Sequence, residues 1–381
     1  MKKKEGIEME FNLKRDVFLS GVQRTLGVVD RRTTMPILNN VLIKTDSDKI
    51  KIVATDREIG LIADYEAKVV TPGETTVAAR KLFEILREMQ GEVVHFKMDD
   101  SNWIRMTCGK SSFKIAGMAA EEYPKVLDDE GILYVKMKGQ VFSDMISQTF
   151  FAMSADETRI NLNGVLLKTE REGNRVDLNM VATDGHRLAM VSIQPGIESS
   201  PEMEQGIIIP RKGINEIRKL VDDGEEEEIE FGAKKGVCVL KKSNVVLKVS
   251  LIDAEYPDYK RVIPKDKGVT VELEKDAMVH ALRRMNVMSS ERYSGVKIKL
   301  LENRMMLNST NPDVGEAQDE IEVIYKEKEA EVGFNVRYLL EGIEAVHEKK
   351  FLLEVRNGLR PAVVKPLEEQ RYMCVIMPLK I

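Results

Sequence analysis

Val181-Ala182-Thr183-Asp184-Gly185-His186-Arg187-Leu188-Ala189-Met190 decides how this chain is read. An apolar run reaches Thr183, an Asp-Gly dipeptide interrupts it, and a second apolar run follows. That pattern predicts two strands joined by a tight turn. The same opening words stand earlier in Val53-Ala54-Thr55-Asp56-Arg57-Glu58-Ile59-Gly60-Leu61, where Gly-His-Arg is missing. The expectation is a repeated unit whose second copy has been given a different turn, with function at that difference.

Other echoes keep the same offset. The ATD words begin at Ala54 and Ala182, 128 residues apart. Glu122-Tyr123-Pro124 returns as Glu255-Tyr256-Pro257, 133 apart, and Arg80-Lys81-Leu82 answers Arg211-Lys212-Gly213 at 131. Pro36–Ile43 resembles Ile160–Leu167, with a fainter third copy in Arg292–Ile298, and the Arg80 and Arg211 words have a weaker third copy at Asn335–Leu340. Offsets this long are domain repeats rather than solenoid turns. A chain of 381 residues also exceeds one ordinary core. Three domains are expected, at 1–130, 131–265 and 266–381.

Each unit opens on an amphipathic helix: Leu13, Val17 and Leu26 in the first, Val141, Phe142, Met145, Ile146 and Phe150 in the second, Met278, Leu282 and Met285 in the third. A second helix is expected near Arg80–Met89, Lys212–Val221 and Val336–His347. Alternating strands such as Lys49–Val53 and Val245–Val249, punctuated by loops such as Asp222-Asp223-Gly224-Glu225, fill the rest. The fold class is α+β, with antiparallel sheets and two helices per domain.

Composition narrows the function. The hydrophobic fraction is 43% and the net charge −5, which alone argues against tight nucleic-acid binding. The basic start Met1–Gly6 leads into no apolar core, so neither a leader nor a membrane span is expected. Cys108, Cys238 and Cys374 are scattered, suiting a reducing cytoplasm without disulfides or zinc. The helices nevertheless carry recurrent cations, which predicts a basic surface hidden inside the acidic average.

The word Ala182–Ala189 resembles the signature of the bacterial DNA polymerase III β subunit, the sliding clamp. Tyr256–Pro264, the helix start Ile209–Gly213 and the ending Val375–Ile381 resemble it too, so the likeness covers nearly the whole chain. It implies a head-to-tail homodimer whose six domains close around duplex DNA of any sequence. Twelve helices of about 10 Å diameter make a circumference of about 120 Å, a circle roughly 38 Å across and a clear bore of about 28 Å. A duplex of about 20 Å passes through it. The implied DNA-facing residues are Arg24, Arg32, Arg80, Lys81, Arg211, Lys212, Arg283 and Arg284.

The resemblance implies two further sites. One is a pocket for short linear peptides of the polymerase III α subunit, the clamp loader, other polymerases and repair proteins. Leu162, Thr183, Gly185, His186, Arg187, Leu188, Pro257, Arg261, Val262, Val375, Ile376, Met377, Pro378, Leu379 and Lys380 match it, with Arg159, Asn335 and Tyr338 at the rim. The other is the ring-closing interface, with Phe113 and Ile115 against Val287 and Met288, and Lys110 and Lys114 near Glu316, Asp319 and Glu320. Ile160-Asn161 stand where some members carry DNA-facing aromatics, and the last motif reads Lys380-Ile381 instead of Arg-Leu.

Asp184 and His186 also invite reading as the dyad of an enzyme acting on nucleotides. No serine or cysteine nucleophile stands in a recognisable setting, however. His95, His280 and His347 are isolated, without metal-ligand spacing, and no phosphate-cradling glycine motif is present. No cofactor and no catalysis are expected. A monomeric nucleic-acid-associated scaffold is the remaining alternative.

Overall fold

The structure, a computed structural model, describes residues 8–29, 34–194, 200–224, 227–290, 293–356, 358–369 and 371–380. The basic run at 1–6, Arg32, Glu225, Arg292 and Ile381 lie outside them.

The first repeat runs β1 (Met9–Lys14), α1 (Arg15–Thr25), β2 (Asn40–Asp46), β3 (Lys49–Thr55), β4 (Ile59–Glu66), β5 (Lys68–Thr71), β6 (Glu74–Ala78), α2 (Ala79–Glu88), β7 (Val93–Met98), β8 (Trp103–Cys108) and β9 (Ser111–Ala116). The second runs β10 (Tyr134–Lys138), α3 (Gly139–Ser147), β11 (Gly164–Glu172), β12 (Arg175–Thr183), β13 (Arg187–Ile193), α4 (Pro201–Gln205), β14 (Ile207–Pro210), α5 (Arg211–Asp222), β15 (Glu228–Lys234), β16 (Val237–Lys242) and β17 (Val245–Ser250). The third runs β18 (Val269–Glu274), α6 (Lys275–Asn286), β19 (Gly295–Leu301), β20 (Arg304–Asn311), β21 (Gly315–Glu322), β22 (Ala330–Asn335), α7 (Val336–Glu344), β23 (Lys350–Val355), β24 (Ala362–Pro366) and β25 (Tyr372–Ile376). Three similar α+β domains result, each with a helix after its first strand and another at mid-length. The second repeat adds the short α4, which Ser200 caps by accepting from the Met203 N–H.

The strand pairing explains why the chain nonetheless clusters into two compact units, 1–139 with 215–251 and 140–214 with 252–381. In the first unit β6-β2-β3-β4 of repeat one continues into β17-β16-β15-β10 of repeat two. The seam pairs Leu61 with Leu247. In the second unit β14-β11-β12-β13 of repeat two continues into β25-β24-β23-β18 of repeat three, and the seam pairs Leu188 with Val375. Two smaller sheets remain, β5-β1-β7-β8-β9 and β21-β20-β19-β22, so β9 and β21 are edges.

The expected helical face of α1 shifts by one residue. Leu13 belongs to β1, and the buried positions are Phe18 and Val22, with Val17 only half-buried. The reason is the ring of Phe18, which packs edge-on to Phe11 and Phe96 at centroid distances of 5.9 and 6.3 Å. Phe11 and Phe96 themselves stack at 4.6 Å across paired β1 and β7. Gly21 lies on the same buried face, where a Cβ would meet Tyr65 Cε2 at 2.8 Å.

The expectation of different turns in the two copies is corrected by the geometry. Asp56 Oδ1 accepts from the Glu58 and Ile59 N–H groups at 2.9 and 2.6 Å. Asp184 Oδ1 accepts from His186 and Arg187 at 2.9 and 3.0 Å. Thr55 and Thr183 brace their turns alike, each hydroxyl donating to the carbonyl four residues on. Arg57 has φ 82° where Gly185 has φ 87°. The turns are one design, in which the first copy holds an arginine in left-handed backbone. Arg57→Gly relieves that conformation and is expected to leave the fold intact, raising stability by up to about 1 kcal/mol in denaturant unfolding.

Candidate peptide-binding site

The turn between β12 and β13 is shaped from both sides. Gly185 matters because the Arg159 guanidinium lies against it: a Cβ would sit 2.9 Å from Arg159 Nη2, while Arg159 Nη1 donates to the Asp184 carbonyl at 2.7 Å. The close approach that the glycine permits is therefore made by an arginine of the same chain.

Arg187 turns inward and is 8% exposed. Its Nε donates to Asp184 Oδ2 at 3.1 Å, Nη2 to the Phe151 carbonyl at 2.5 Å, and Nη1 to the Glu341 carboxylate. The guanidinium lies 4.4 Å from the Tyr338 ring centroid and 5.1 Å from that of Phe151. A buried cation is stable only when its donors are matched in this way. Arg187 is thus the post that ties the turn to α7. Glu341 and Phe151 were missed in the sequence. Glu341 stands three residues after Tyr338, on the same helical face, which is the signal that could have found it.

His186, one step along the turn, stays exposed with its ring stacked on Tyr338 at 6.3 Å and 21°. Its carbonyl accepts from the Met377 N–H at 2.9 Å, and the Leu379 N–H donates to Gly333 at 2.8 Å. These two bonds lay the carboxy-terminal segment alongside the turn. Behind it, Leu188, Val375, Val363 and Tyr259 form one cluster with Leu166, Val181 and Ile208. The 3-10 turn Tyr259–Arg261 sits on that cluster and presents Val262. The result is buried backing (Leu162, Thr183, Leu188, Val375, Ile376) with an exposed apolar front of Val262 (44%), Met377 (38%) and Leu379 (40%). Pro257, Arg261 and Lys380 are exposed, and Pro378 is half-buried.

Asn335 has another occupation. Its Oδ1 accepts from the Arg337 and Tyr338 N–H groups, capping α7, and its Nδ2 donates to Ser294 Oγ at 3.0 Å. Burial pushes the Tyr338 phenol above its ordinary value. Tyr256 joins the site unannounced, with its hydroxyl 3.4 Å from the Val181 carbonyl.

The dyad reading fails on the same geometry. Both oxygens of Asp184 are engaged by backbone N–H groups and by Arg187, which leaves no base facing His186. Among the described residues no group of His, Cys, Asp or Glu could hold a metal ion.

The cations expected to face DNA are mostly matched. Arg24 pairs with Asp223, Lys81 with Glu84 and Arg283 with Glu344 at 2.7, 2.6 and 2.7 Å, and Arg284 pairs with Asp319. Arg211 is a correction: it donates to the Met153 and Ser154 carbonyls at 3.1 Å and lies 5.2 Å from the Phe150 ring centroid, so its guanidinium braces the fold. Desolvation lowers its pKa. Arg80 and Lys212 are exposed on their helices. At the edges, Phe113 and Ile115 on β9 are half-buried, as is Met288, and Val287 is 78% exposed.

Arg187→Ala strands the carboxylates of Asp184 and Glu341 and is expected to cost about 3 kcal/mol in denaturant unfolding. Arg187→Lys recovers little of it, because an ammonium cannot stack and fork to three acceptors. Gly185→Ala displaces Arg159 and strains the positive φ, whereas His186→Ala leaves stability within about 0.5 kcal/mol.

Comparison with known proteins bears on this arrangement directly. Family models described as the DNA polymerase III beta subunit N-terminal, central and C-terminal domains match residues 9–128, 136–258 and 260–380. The beta sliding clamp of Pseudomonas putida is 31% identical over 376 residues, covering 98% of this chain and all of the relative. The crystal structure of the Caulobacter crescentus beta sliding clamp superposes with a TM-score of 0.92 at 29% identity, over 99% of this chain and 100% of that one. A Pseudomonas aeruginosa sliding clamp bound to griselimycin gives 0.90 at 29%, over 98% and 100%. The chain belongs to the DNA polymerase III beta subunit family, the bacterial sliding clamps.

Proposed function

We propose that two copies of this chain close head to tail into a ring around duplex DNA and hold replication and repair proteins there through the groove beside His186. The observation that carries the reading is the repeated seam. Twice, the first half-sheet of one repeat is completed by the second half-sheet of the next, β4 to β17 and β13 to β25. The same rule applied once more asks β21 of the third repeat to meet β9 of a first repeat, which a second copy supplies. Two edges left open would be sites of uncontrolled pairing.

Charge and apolarity support that pairing. Lys110 and Lys114 stand at β9, while Glu316, Asp319 and Glu320 stand on β21. Phe113 and Ile115 meet Val287 and Met288 in this arrangement. The domains are taken as 1–130, 131–265 and 266–381. Sequence-independent retention then rests on topology, with Arg24, Arg80, Lys81, Lys212, Arg283 and Arg284 giving a weak field because many are already paired.

The groove offers Val262, Met377 and Leu379 as apolar contacts and His186 as a rim donor, which fits an extended peptide with apolar anchors. The protein acts as a tether without chemistry of its own, and the cytoplasm is its proposed compartment. No helix among the described residues is long and apolar enough to cross a membrane.

After loading at moderate salt, the protein is expected to stay on circular DNA and to leave the same DNA once linearised. Equal loss from both would remove the ring. Ile115→Lys buries a charge in the proposed seam and should weaken dimerisation about 100-fold in sedimentation. Met377→Ala should weaken binding of a fluorescent partner peptide about tenfold with dimerisation unchanged.

A further inference from the structure

The first seam repeats the plan of the second with one member removed. At the second seam Arg187 stands three residues after Asp184 and gives its guanidinium to Glu341 of α7 and to the Phe151 carbonyl. At the first seam the residue three after Asp56 is Ile59, which is 1% exposed. It pairs with Val249 as Arg187 pairs with Ile376. The acid is nevertheless kept. Glu216 lies five residues after the start of α5 at Arg211, as Glu341 lies five after the start of α7 at Val336. Both rings that flank Arg187 are replaced by glycine. Gly27 stands twelve residues after the start of α1 at Arg15, as Phe151 stands twelve after the start of α3 at Gly139. Gly213 holds in α5 the place of Tyr338 in α7.

A cleft of about 670 Å³ lies where these side chains are missing. Leu61 and Leu247 of the paired seam strands line it, with Arg24 and Gly27 on one side and Glu216 and Asp223 on the other. All of them belong to the first compact unit. Glu216 is 7% exposed, and its carboxylate lies against Gly27, where a Cβ would sit 2.3 and 2.5 Å from the two oxygens. The neighbouring charges already have partners. Arg24 pairs with Asp223 at 2.7 Å and Arg218 with Asp222 at 3.5 Å, while Lys242 donates to the Leu220 and Val221 carbonyls. Lys219, which also lines the cleft, reaches one oxygen of Glu216 at 2.7 Å with a side chain that is 65% exposed. The other oxygen has no hydrogen-bond partner among the described residues. An exposed ammonium on the same helix is a weak partner for a buried carboxylate. The matching acid at the second seam has a buried guanidinium.

We propose that this cleft binds a small organic cation, a guanidinium on a short alkyl stem. The guanidinium takes the part of Arg187 and forks onto Glu216, which releases Lys219 into water. A planar fork matches the two oxygens of a carboxylate, and the stem packs on Leu61 and Leu247. The bound cation supplies the post that the first seam lacks and ties α5 to the paired strands. The assignment depends neither on the ring nor on the peptide groove.

n-Butylguanidinium is the probe, titrated into the full-length chain carrying labelled Ile, Leu and Val methyl groups. Saturable shifts are expected at Leu61 and Leu247. n-Butylurea, which keeps the shape and loses the charge, should bind about tenfold more weakly. Glu216→Gln should weaken n-butylguanidinium by a similar factor. Lys219→Met removes the competing ammonium at an exposed position and should tighten binding about threefold. Saturating n-butylguanidinium should also raise the unfolding midpoint of the parent chain but not that of Glu216→Gln. The proposal is overturned by absence of saturation up to about 20 mM, by equal binding of n-butylurea, by weaker binding to Lys219→Met, or by shifts centred on Leu188 and Val375. The n-butylurea comparison and Lys219→Met keep the test decisive if Glu216→Gln does not fold.

Discussion

The unpaired backbone of a strand edge is the constraint on which this structure depends. Each repeat makes two half-sheets, and each half-sheet presents one long edge whose N–H and C=O groups need partners. The chain meets that need by joining repeats edge to edge. Leu61 pairs with Leu247 at one seam, and Leu188 pairs with Val375 at the other. Domain repeats and compact units therefore differ, because each seam binds half of one repeat to half of the next. β9 and β21 are the ends of that series, and the proposed ring follows from completing it.

The second seam also builds the site. β13 and β25 run side by side, so the turn before β13 and the segment after β25 are brought together with no further device. One buried cation then fixes the details. Arg187 gathers Asp184, Glu341 and the Phe151 carbonyl and stacks on Tyr338, which in turn carries the His186 ring. In the matching turn of repeat one, the position of Arg187 is held by the buried Ile59, and no comparable post forms there. Turns of one backbone design thus carry different chemistry because the third residue after the aspartate is an arginine in one and an isoleucine in the other.

Electrostatics is more local than the sequence suggests. Recurrent basic residues on the helices read as a basic surface, yet most have a carboxylate within hydrogen-bond distance. Exposed pairs of this kind are worth little to stability, but they flatten the field that a polyanion would meet. A protein that holds DNA by topology needs no stronger attraction, and weak attraction is compatible with sliding.

The sequence by itself determined the repeat, the α+β class and the strand–turn–strand around Asp184-Gly185, because backbone preferences and apolar periodicity act over a few residues. It also marked the exposed apolar front, since Val262, Met377 and Leu379 lie in motifs outside the regular alternation of the strands. Only the tertiary structure decided what the polar residues do. Arg187 and Arg211 turn inward, Asn335 caps a helix, Gly185 accommodates Arg159, and Glu216 is buried beside a cleft. A guanidinium or an amide takes its role from acceptors far away in the chain, such as Glu341 for Arg187 and Ser294 for Asn335. Those distances exist only after the strands have paired.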